Sequence, residues 1–167
     1  MQHPDPRTAL LLRQLALAFD RRSWHGPNLL GSLRGVSPDA AAWRPQPQRH
    51  NIWEIAVHCA YWKYRVCRLV APEGAASFTL KGSDWFVRPE TSTKEAWVED
   101  VMLLRSWHDQ LLQHVRVLES DRLDEPSGRG EFTIFEVVSG IVAHDAYHAG
   151  QVRLLRRMRG SESESES

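Results

Sequence analysis

The sequence has no excess of charge of either sign. Its 167 residues include 21 Lys and Arg against 21 Asp and Glu, which gives a formal net charge of +0. Proteins that bind nucleic acids usually carry a basic excess or a basic stripe. The only dense basic run, residues 153–159, falls at the end of a predicted helix, where cations complement the helix dipole. The sequence therefore predicts no nucleic-acid partner.

Long hydrophobic runs are also missing. A helix needs about 20 mostly apolar residues to span a bilayer, and no segment approaches that length. Arg13, Gln14 and Asp20 interrupt the only apolar stretch near the start of the chain, so we expect no signal peptide. We expect no membrane partner.

Cysteine is scarce, with only Cys59 and Cys67 in the chain. Both fall on one predicted helix, eight positions apart, which separates them by about 12 Å. That distance is too long for a disulfide bond. Reduced thiols are typical of a cytoplasmic protein, and we expect this location.

Strand patterns are absent, whereas helical periodicity is strong, and the length fits one domain. Four long helices are predicted, with Asp5, Asn51, Ser92 and Thr133 as their first caps. Glu54, Glu95 and Glu136 lie three residues after the last three of these caps and complete capping boxes. The predicted spans are 6–24, 51–72, 92–118 and 133–158, with a short helical turn near 37–39. The fold class is an all-α four-helix bundle over residues 1–159.

Two connections and the tail complete the predicted organisation. Residues 72–91 are long for a loop and carry Ser83-Asp84-Trp85-Phe86, so this segment is expected to be functional or packed by its own aromatic residues. Residues 124–130 are rich in turn formers. The Ser/Glu tail, 160–167, is acidic and of low complexity, and is predicted to be disordered.

Histidine placement is the strongest chemical signal. His144 and His148 are one helical turn apart, so both imidazoles leave the same face, which otherwise has the pattern of a core stripe. Two ligands at this spacing can bind one cation. Buried imidazoles are costly unless they are hydrogen-bonded or coordinated. On the second long helix, His58 falls between Ile55 and Trp62 and supplies the best third ligand.

The other histidines have weaker claims. His108 lies in the apolar stripe of the third helix and is either an alternative third ligand or a core histidine hydrogen-bonded to another side chain. His114 flanks that stripe. Predicted surface histidines in tails or loops are His3, His25 and His50. For the trio itself, the alternative is three separately satisfied polar core residues.

Three polar residues near these histidines, Cys59, Asp145 and Glu54, are not expected to bind the metal. Cys59 is turned about 100° from His58 and is predicted to be a small buried hydrophobic residue. Asp145 is expected to face another helix or the solvent. Glu54 is expected to serve the helix cap rather than act as a general base.

Two segments resemble signatures of a known family. The stretch His50-Asn-Ile-Trp-Glu-Ile-Ala-Val-His58 resembles the second-helix signature of the DinB/YfiT-like superfamily, and residues 143–151 (AHDAYHAGQ) resemble its fourth-helix signature. Residues 81–86 and 95–97 are similar to one of its subgroups. The resemblance covers the chain from about Leu10 to Met158.

The resemblance implies a four-helix bundle with non-sequential helix order, often assembled as a homodimer. It also implies a divalent metal, zinc or nickel, on His58, His144 and His148. Characterised relatives include thiol-dependent S-transferases and an isomerase that use bacillithiol or mycothiol. Others are regarded as hydrolases, and some are known only from induction by DNA damage.

The resulting functional expectation is a metal-dependent enzyme that conjugates a small cellular thiol to an electrophilic substrate. The alternatives are a metal-dependent hydrolase and a non-catalytic metal-binding protein of the stress or DNA-damage response. The candidates for a general acid or base are His108, Asp145 and Tyr147. The tryptophans expected near the pocket are Trp62, Trp85 and Trp107.

Overall fold

Four long helices and several short elements make up the fold. A computed structural model describes residues 5–71, 73 and 76–165, and for 161–165 only the backbone. The long helices are α1 (Pro6–Phe19), α4 (Ile52–Val70), α5 (Lys94–Arg116) and α6 (Ile134–Ser165). The short elements are α2 (Leu29–Leu33), α3 (Pro38–Ala42), a 3₁₀ turn (Ser120–Asp124) and a hairpin of strands β1 (Pro126–Arg129) and β2 (Phe132–Thr133).

The long helices pack in a non-sequential order. Helix α4 packs against α5 and α6, and α1 packs against the same two helices from the other side. The order around the bundle is therefore α1, α5, α4, α6, with consecutive long helices α1 and α4 at opposite corners. This arrangement confirms the predicted all-α bundle and the helix order that the resemblance implied. It also places α4 beside α6, the two helices that carry the candidate ligands.

Helix caps account for where most of the long helices begin. The Asn51 side chain accepts the Glu54 backbone N–H at 2.8 Å, and Thr133 and Glu136 form the predicted reciprocal box. The predicted cap at Ser92 is wrong by one residue, because Thr93 accepts the Ala96 N–H instead. Each such cap satisfies a backbone donor that has no partner inside the helix.

The buried faces of the helices carry large aromatic residues, and two buried tryptophans have paired indole N–H groups. Trp53 is fully buried, and its indole N–H donates to Asp100 at 2.7 Å. Trp97 packs edge-on against Trp53 and donates to the Val36 carbonyl. A buried indole is favourable when its N–H finds such an acceptor. These contacts fix α5 against α4, on the side of α4 that faces away from α6.

Several predicted boundaries differ from the observed ones. Helix α1 ends at Phe19 rather than at residue 24, and Trp24 is 97% exposed. The prediction that no strand competes is wrong at 126–133, where Gly128 (φ 76°) and Gly130 (φ 61°) adopt the left-handed conformation that a tight hairpin requires. A run this short gives too little alternation to be recognised in the sequence.

The end of α6 overlaps the predicted tail. The helix continues past residue 158 to Ser165, so the backbone is helical over much of the segment that was expected to be disordered. Residues 166 and 167 of that tail lie outside the described residues, as do His3 and positions 72, 74 and 75 of the predicted connection 72–91. Helix α4 ends at Val70, two residues before the predicted end.

Candidate metal centre

Three histidine side chains meet between α4 and α6. The Nε2 atom of His144 lies 3.1 Å from Nε2 of His58 and 3.1 Å from Nε2 of His148. His58 and His148 are 5% and 4% exposed, and His144 is half-buried. The trio predicted from spacing and helix face therefore comes together in space, and it could hold a metal ion.

The hydrogen bonds behind the rings determine which nitrogens carry protons. His58 Nδ1 faces the Asp84 carbonyl at 3.0 Å, and His148 Nδ1 faces the Gln151 side-chain oxygen at 2.7 Å. Both partners only accept, so each Nδ1 carries the proton and each Nε2 is left with a lone pair. His144 Nε2 can donate to at most one of those lone pairs. A cation at the point of convergence would satisfy all three nitrogens.

The spacing of the nitrogens suits a small divalent cation. Imidazole nitrogens that bind zinc at 2.0–2.1 Å in a tetrahedral arrangement lie about 3.3 Å apart, close to the two 3.1 Å separations here. Burial is the main cause that lowers the pKa of His144 to about 3 and that of His148 to about 4, so both rings are neutral at physiological pH. Neutral imidazole is the form that binds metals.

The long loop between α4 and α5 supports His58 from behind. Asp84 adopts a left-handed conformation (φ 64°), which is uncommon outside glycine, and it accepts the Trp62 indole N–H at 2.8 Å. Its carboxylate also lies 3.3 Å from His58 Nδ1. Trp85 stacks on the His58 ring with the ring centroids 3.9 Å apart. His50 in turn stacks on Trp85 at 3.6 Å. The expected functional role of this loop thus has a structural basis.

The same loop also packs through its own aromatic residues. Phe78 and Phe86 both contact Tyr61, with ring centroids 5.4 Å and 5.5 Å from it. The expectation that this segment is packed by its own aromatic residues is therefore confirmed, and a functional role for it stays a prediction.

The Glu54 side chain has a different role from the expected one. Its carboxylate receives both terminal nitrogens of Arg44 and lies 2.9 Å from His50 Nδ1, while Asn51 alone caps the helix. These contacts hold the pKa of the Glu54 carboxyl below its usual range, against the effect of burial. Glu54 therefore positions the segment before α4 and is not available as a general base.

Asp145 and His108 are buried away from the three Nε2 atoms. Asp145 is fully buried and forms an ion pair with the equally buried Lys63 of α4, so of its two expected environments it faces the other helix. His108 stacks on Phe19 with ring centroids 3.7 Å apart. Neither of its ring nitrogens has a hydrogen-bond partner within the described part of the chain, so the expected hydrogen bond is wrong.

A second cluster of potential ligands shares His144 with the histidine trio. Donor atoms of Cys59, His144 and Asp145 all lie within 4.8 Å of one another. Burial raises the pKa of the Cys59 thiol well above its usual value, and Asp145 already pairs with Lys63. A protonated thiol and a neutralised carboxylate bind a cation poorly. Cys59 is a fully buried, free cysteine, as predicted, and the histidine trio is the better site.

Tyr147 is the one predicted acid or base candidate at the surface. It is 64% exposed, and its hydroxyl accepts the Gln151 amide N–H at 3.0 Å. Gln151 in turn accepts from His148, so a chain of hydrogen bonds leads from the trio to the surface. The roles of Asp84, Gln151 and Lys63 were not predicted from the sequence. Of these, Gln151 could have been found, because it shares the helical stripe of the two histidines.

Cavities flank the trio on two sides. One, of about 230 Å³, is lined by His144 and Trp62 together with side chains of the hairpin and of α4 and α6. The other, of about 430 Å³, is lined by His50, Trp85 and Gln151. Trp62 and Trp85 thus lie where they were expected. Trp107 does not, because it is buried against Tyr64 with a centroid distance of 5.0 Å.

No helix among the described residues is long and apolar enough to cross a membrane.

Comparisons with known proteins identify the family of this chain. Neither the curated proteins nor the solved structures give a match to this chain. The family model described as the DinB superfamily matches residues 21–152, which include all three clustered histidines. The chain belongs to the DinB superfamily.

Proposed function

We propose that this protein is a divalent-metal-dependent enzyme that transfers a small cellular thiol, of the bacillithiol type, to an electrophilic substrate. The observation that carries the proposal is the convergence of three Nε2 atoms, two of which are kept unprotonated by acceptors behind their rings. His58, His144 and His148 would hold the ion, zinc or nickel. When bound, such an ion acts as a Lewis acid and lowers the pKa of a thiol that reaches it.

The transfer itself needs little acid–base chemistry from the chain. The thiol loses its proton to solvent, its sulfur lone pair forms the new S–C bond, and the leaving group departs with the electrons of the broken bond. Trp62 and apolar side chains line the cavity beside His144, and a substrate that fills it would displace water, which strengthens electrostatic interactions there. We keep Tyr147 as the candidate group that passes the thiol proton on to solvent, because it is exposed and is linked to His148 through Gln151.

Metal content and thiol consumption together test the proposal. We expect the full-length chain to bind close to one zinc or nickel ion, and His148→Ala to lose most of it, measured by elemental analysis. His114→Ala on α5 is the matched control and should keep its metal. Loaded protein should accelerate the loss of bacillithiol with at least one member of an electrophile panel above the rate without protein. Unchanged metal in His148→Ala contradicts the site, and loaded protein that accelerates thiol loss with no electrophile contradicts the transferase.

A structural role for the ion is the second candidate. The ligands come from two different helices, so an ion there would cross-link α4 to α6. Binding free energy would then appear as folding free energy. A large fall in Tm on chelation, combined with inactivity of the loaded protein, favours this role. A small fall together with thiol consumption favours the enzyme.

A further inference from the structure

The cavity beside His144 has a distinct chemical character. It opens between α4, α6 and the hairpin, has a volume of about 230 Å³, and we call it the α4–hairpin pocket. Its walls are mainly apolar, and His144 contributes to the lining. The residues used below are Trp62, Arg65, Arg129, Phe132, Glu136 and His144.

Two guanidinium groups border this pocket without a carboxylate partner. Among the ion pairs of the described residues, none involves Arg65 or Arg129. Glu136 borders the same pocket, but its carboxylate already accepts the Thr133 N–H at 2.8 Å and the Thr133 hydroxyl at 3.0 Å. The pocket therefore offers two cationic groups and one carboxylate that is held in a helix cap.

The apolar part of the pocket is built from aromatic surface. The Arg129 guanidinium lies over the Trp62 ring, 4.3 Å from its centroid, which holds the cation at the edge of the apolar wall. Phe132, which pairs with Arg129 across the hairpin, is 56% exposed. Small-molecule sites are typically lined by hydrophobic and aromatic side chains with a few placed polar groups, as this pocket is.

We propose that the α4–hairpin pocket binds a small organic acid whose apolar body lies against Trp62 and Phe132 and whose anionic group pairs with Arg65 and Arg129. Guanidinium groups bind carboxylates and phosphates through the same paired hydrogen bonds, so both classes of acid are included. The pocket is smaller than the 300–1,000 Å³ typical of sites for drug-sized ligands, which restricts the acid to metabolite size. The proposal rests on the proposed function only in assigning this acid as the reaction partner delivered to His144.

Binding of matched probes tests the proposal without any turnover. The metal-loaded, full-length chain is titrated with 4-phenylbutyrate, 4-phenylbutyl phosphate and the neutral 4-phenylbutyramide by calorimetry. We expect at least one acid to bind about tenfold more tightly than the amide, the difference that one charge-assisted pair provides. Arg129→Gln and Arg65→Gln should each remove most of that preference. Arg105→Gln, an arginine of α5 outside this pocket, is the control and should keep it.

The double variant distinguishes binding of the acid by the two arginines from binding of the acid by the metal. A carboxylate that coordinated the metal directly would also bind better than the amide, but its preference would survive in the double variant Arg65→Gln/Arg129→Gln. That survival, or equal binding of acids and amide by the unaltered chain, overturns the proposal. Metal content measured on the same samples reports on the proposed function independently. Loss of acid preference with full metal content supports the pocket, and the phosphate and carboxylate arms identify which acid it takes.

Discussion

At the scale of single residues, the group behind each imidazole decides which nitrogen is free to bind a cation. Asp84 supports His58 through its carbonyl and its carboxylate, and Gln151 supports His148. Such outer partners fix the ring orientation and the tautomer, and their loss typically lowers metal affinity by about 10–100-fold. With its backbone in the left-handed conformation, Asp84 has its carbonyl oxygen and one carboxylate oxygen near the His58 ring.

We therefore expect Asp84→Asn to weaken metal binding by about tenfold or more. Asparagine tolerates the left-handed conformation and keeps the carbonyl partner of His58, so the change removes mainly the negative charge. A competition titration with a chromophoric chelator measures the affinity. Asp109→Asn on the exposed face of α5 serves as the control. Equal metal affinities in Asp84→Asn and the unaltered chain would mean that the Asp84 carbonyl supports His58 without help from the carboxylate charge.

His108 makes folding stability depend on pH. Burial lowers the pKa of its imidazole from 6.5 to about 3, so the unfolded chain binds a proton there that the folded chain does not. The stability it contributes is complete above the unfolded pKa and is lost as pH falls from about 6.5 towards 3. His108→Leu should reduce that loss by about 1.4 kcal/mol per pH unit within this window.

Urea unfolding at pH 7.5 and at pH 5.5 measures this difference. The free energy of unfolding should fall less between the two pH values in His108→Leu than in the unaltered chain. His25→Leu is the control, because His25 lies in an exposed turn. A pH dependence that is the same in His108→Leu and in the unaltered chain would rule out a contribution from His108.

At the scale of elements, one buried ion pair joins the two helices of the site. Lys63 of α4 and Asp145 of α6 are both fully buried, and the Lys63 ammonium also lies 4.9 Å from the Phe19 ring centroid. Burial raises the pKa of the Asp145 carboxyl, and the Lys63 ammonium opposes that rise. Because Asp145 adjoins His144, the pair also fixes the position of α6 at the candidate ligands.

Removing one partner of this pair should be much worse than removing both. Lys63→Met leaves an uncompensated buried carboxylate, and we expect it to cost about 3–5 kcal/mol of unfolding free energy. The double variant Lys63→Met/Asp145→Leu should recover most of that loss, because it removes both desolvated charges. Urea unfolding of Lys63→Met, of Asp145→Leu and of the double variant measures the coupling. If the losses of unfolding free energy in the two single variants simply add in the double variant, the pair is not coupled.

The helices and the histidine trio could be predicted because both depend on local periodicity. His58, His144 and His148 lie on apolar stripes, and a stripe defines which face of a helix is buried. The ion pair could not be predicted, because Lys63 and Asp145 are far apart in sequence and their meeting depends on how α4 packs on α6. Asp84 was missed for a related reason: its contact with His58 depends on the path of a long loop without periodicity.

At the scale of the whole molecule, the candidate metal ligands and the hairpin that borders the α4–hairpin pocket belong to different elements. The candidate ligands lie on α4 and α6, which pack directly against each other, whereas the hairpin belongs to the connection between α5 and α6. The homodimer implied by the family resemblance stays a prediction. Sedimentation velocity of the full chain should give about twice the 19.2 kDa chain mass, and a single species at the chain mass would contradict it.

The hairpin has a consequence for how this protein can diversify. It supplies Arg129 and Phe132 to the pocket from within the connection between α5 and α6, and none of the three clustered histidines belongs to it. Surface connections tolerate substitution and insertion far better than the packed elements that they join. We therefore expect exchange of this hairpin to change which ligand the proposed pocket prefers, without altering the three clustered histidines on α4 and α6.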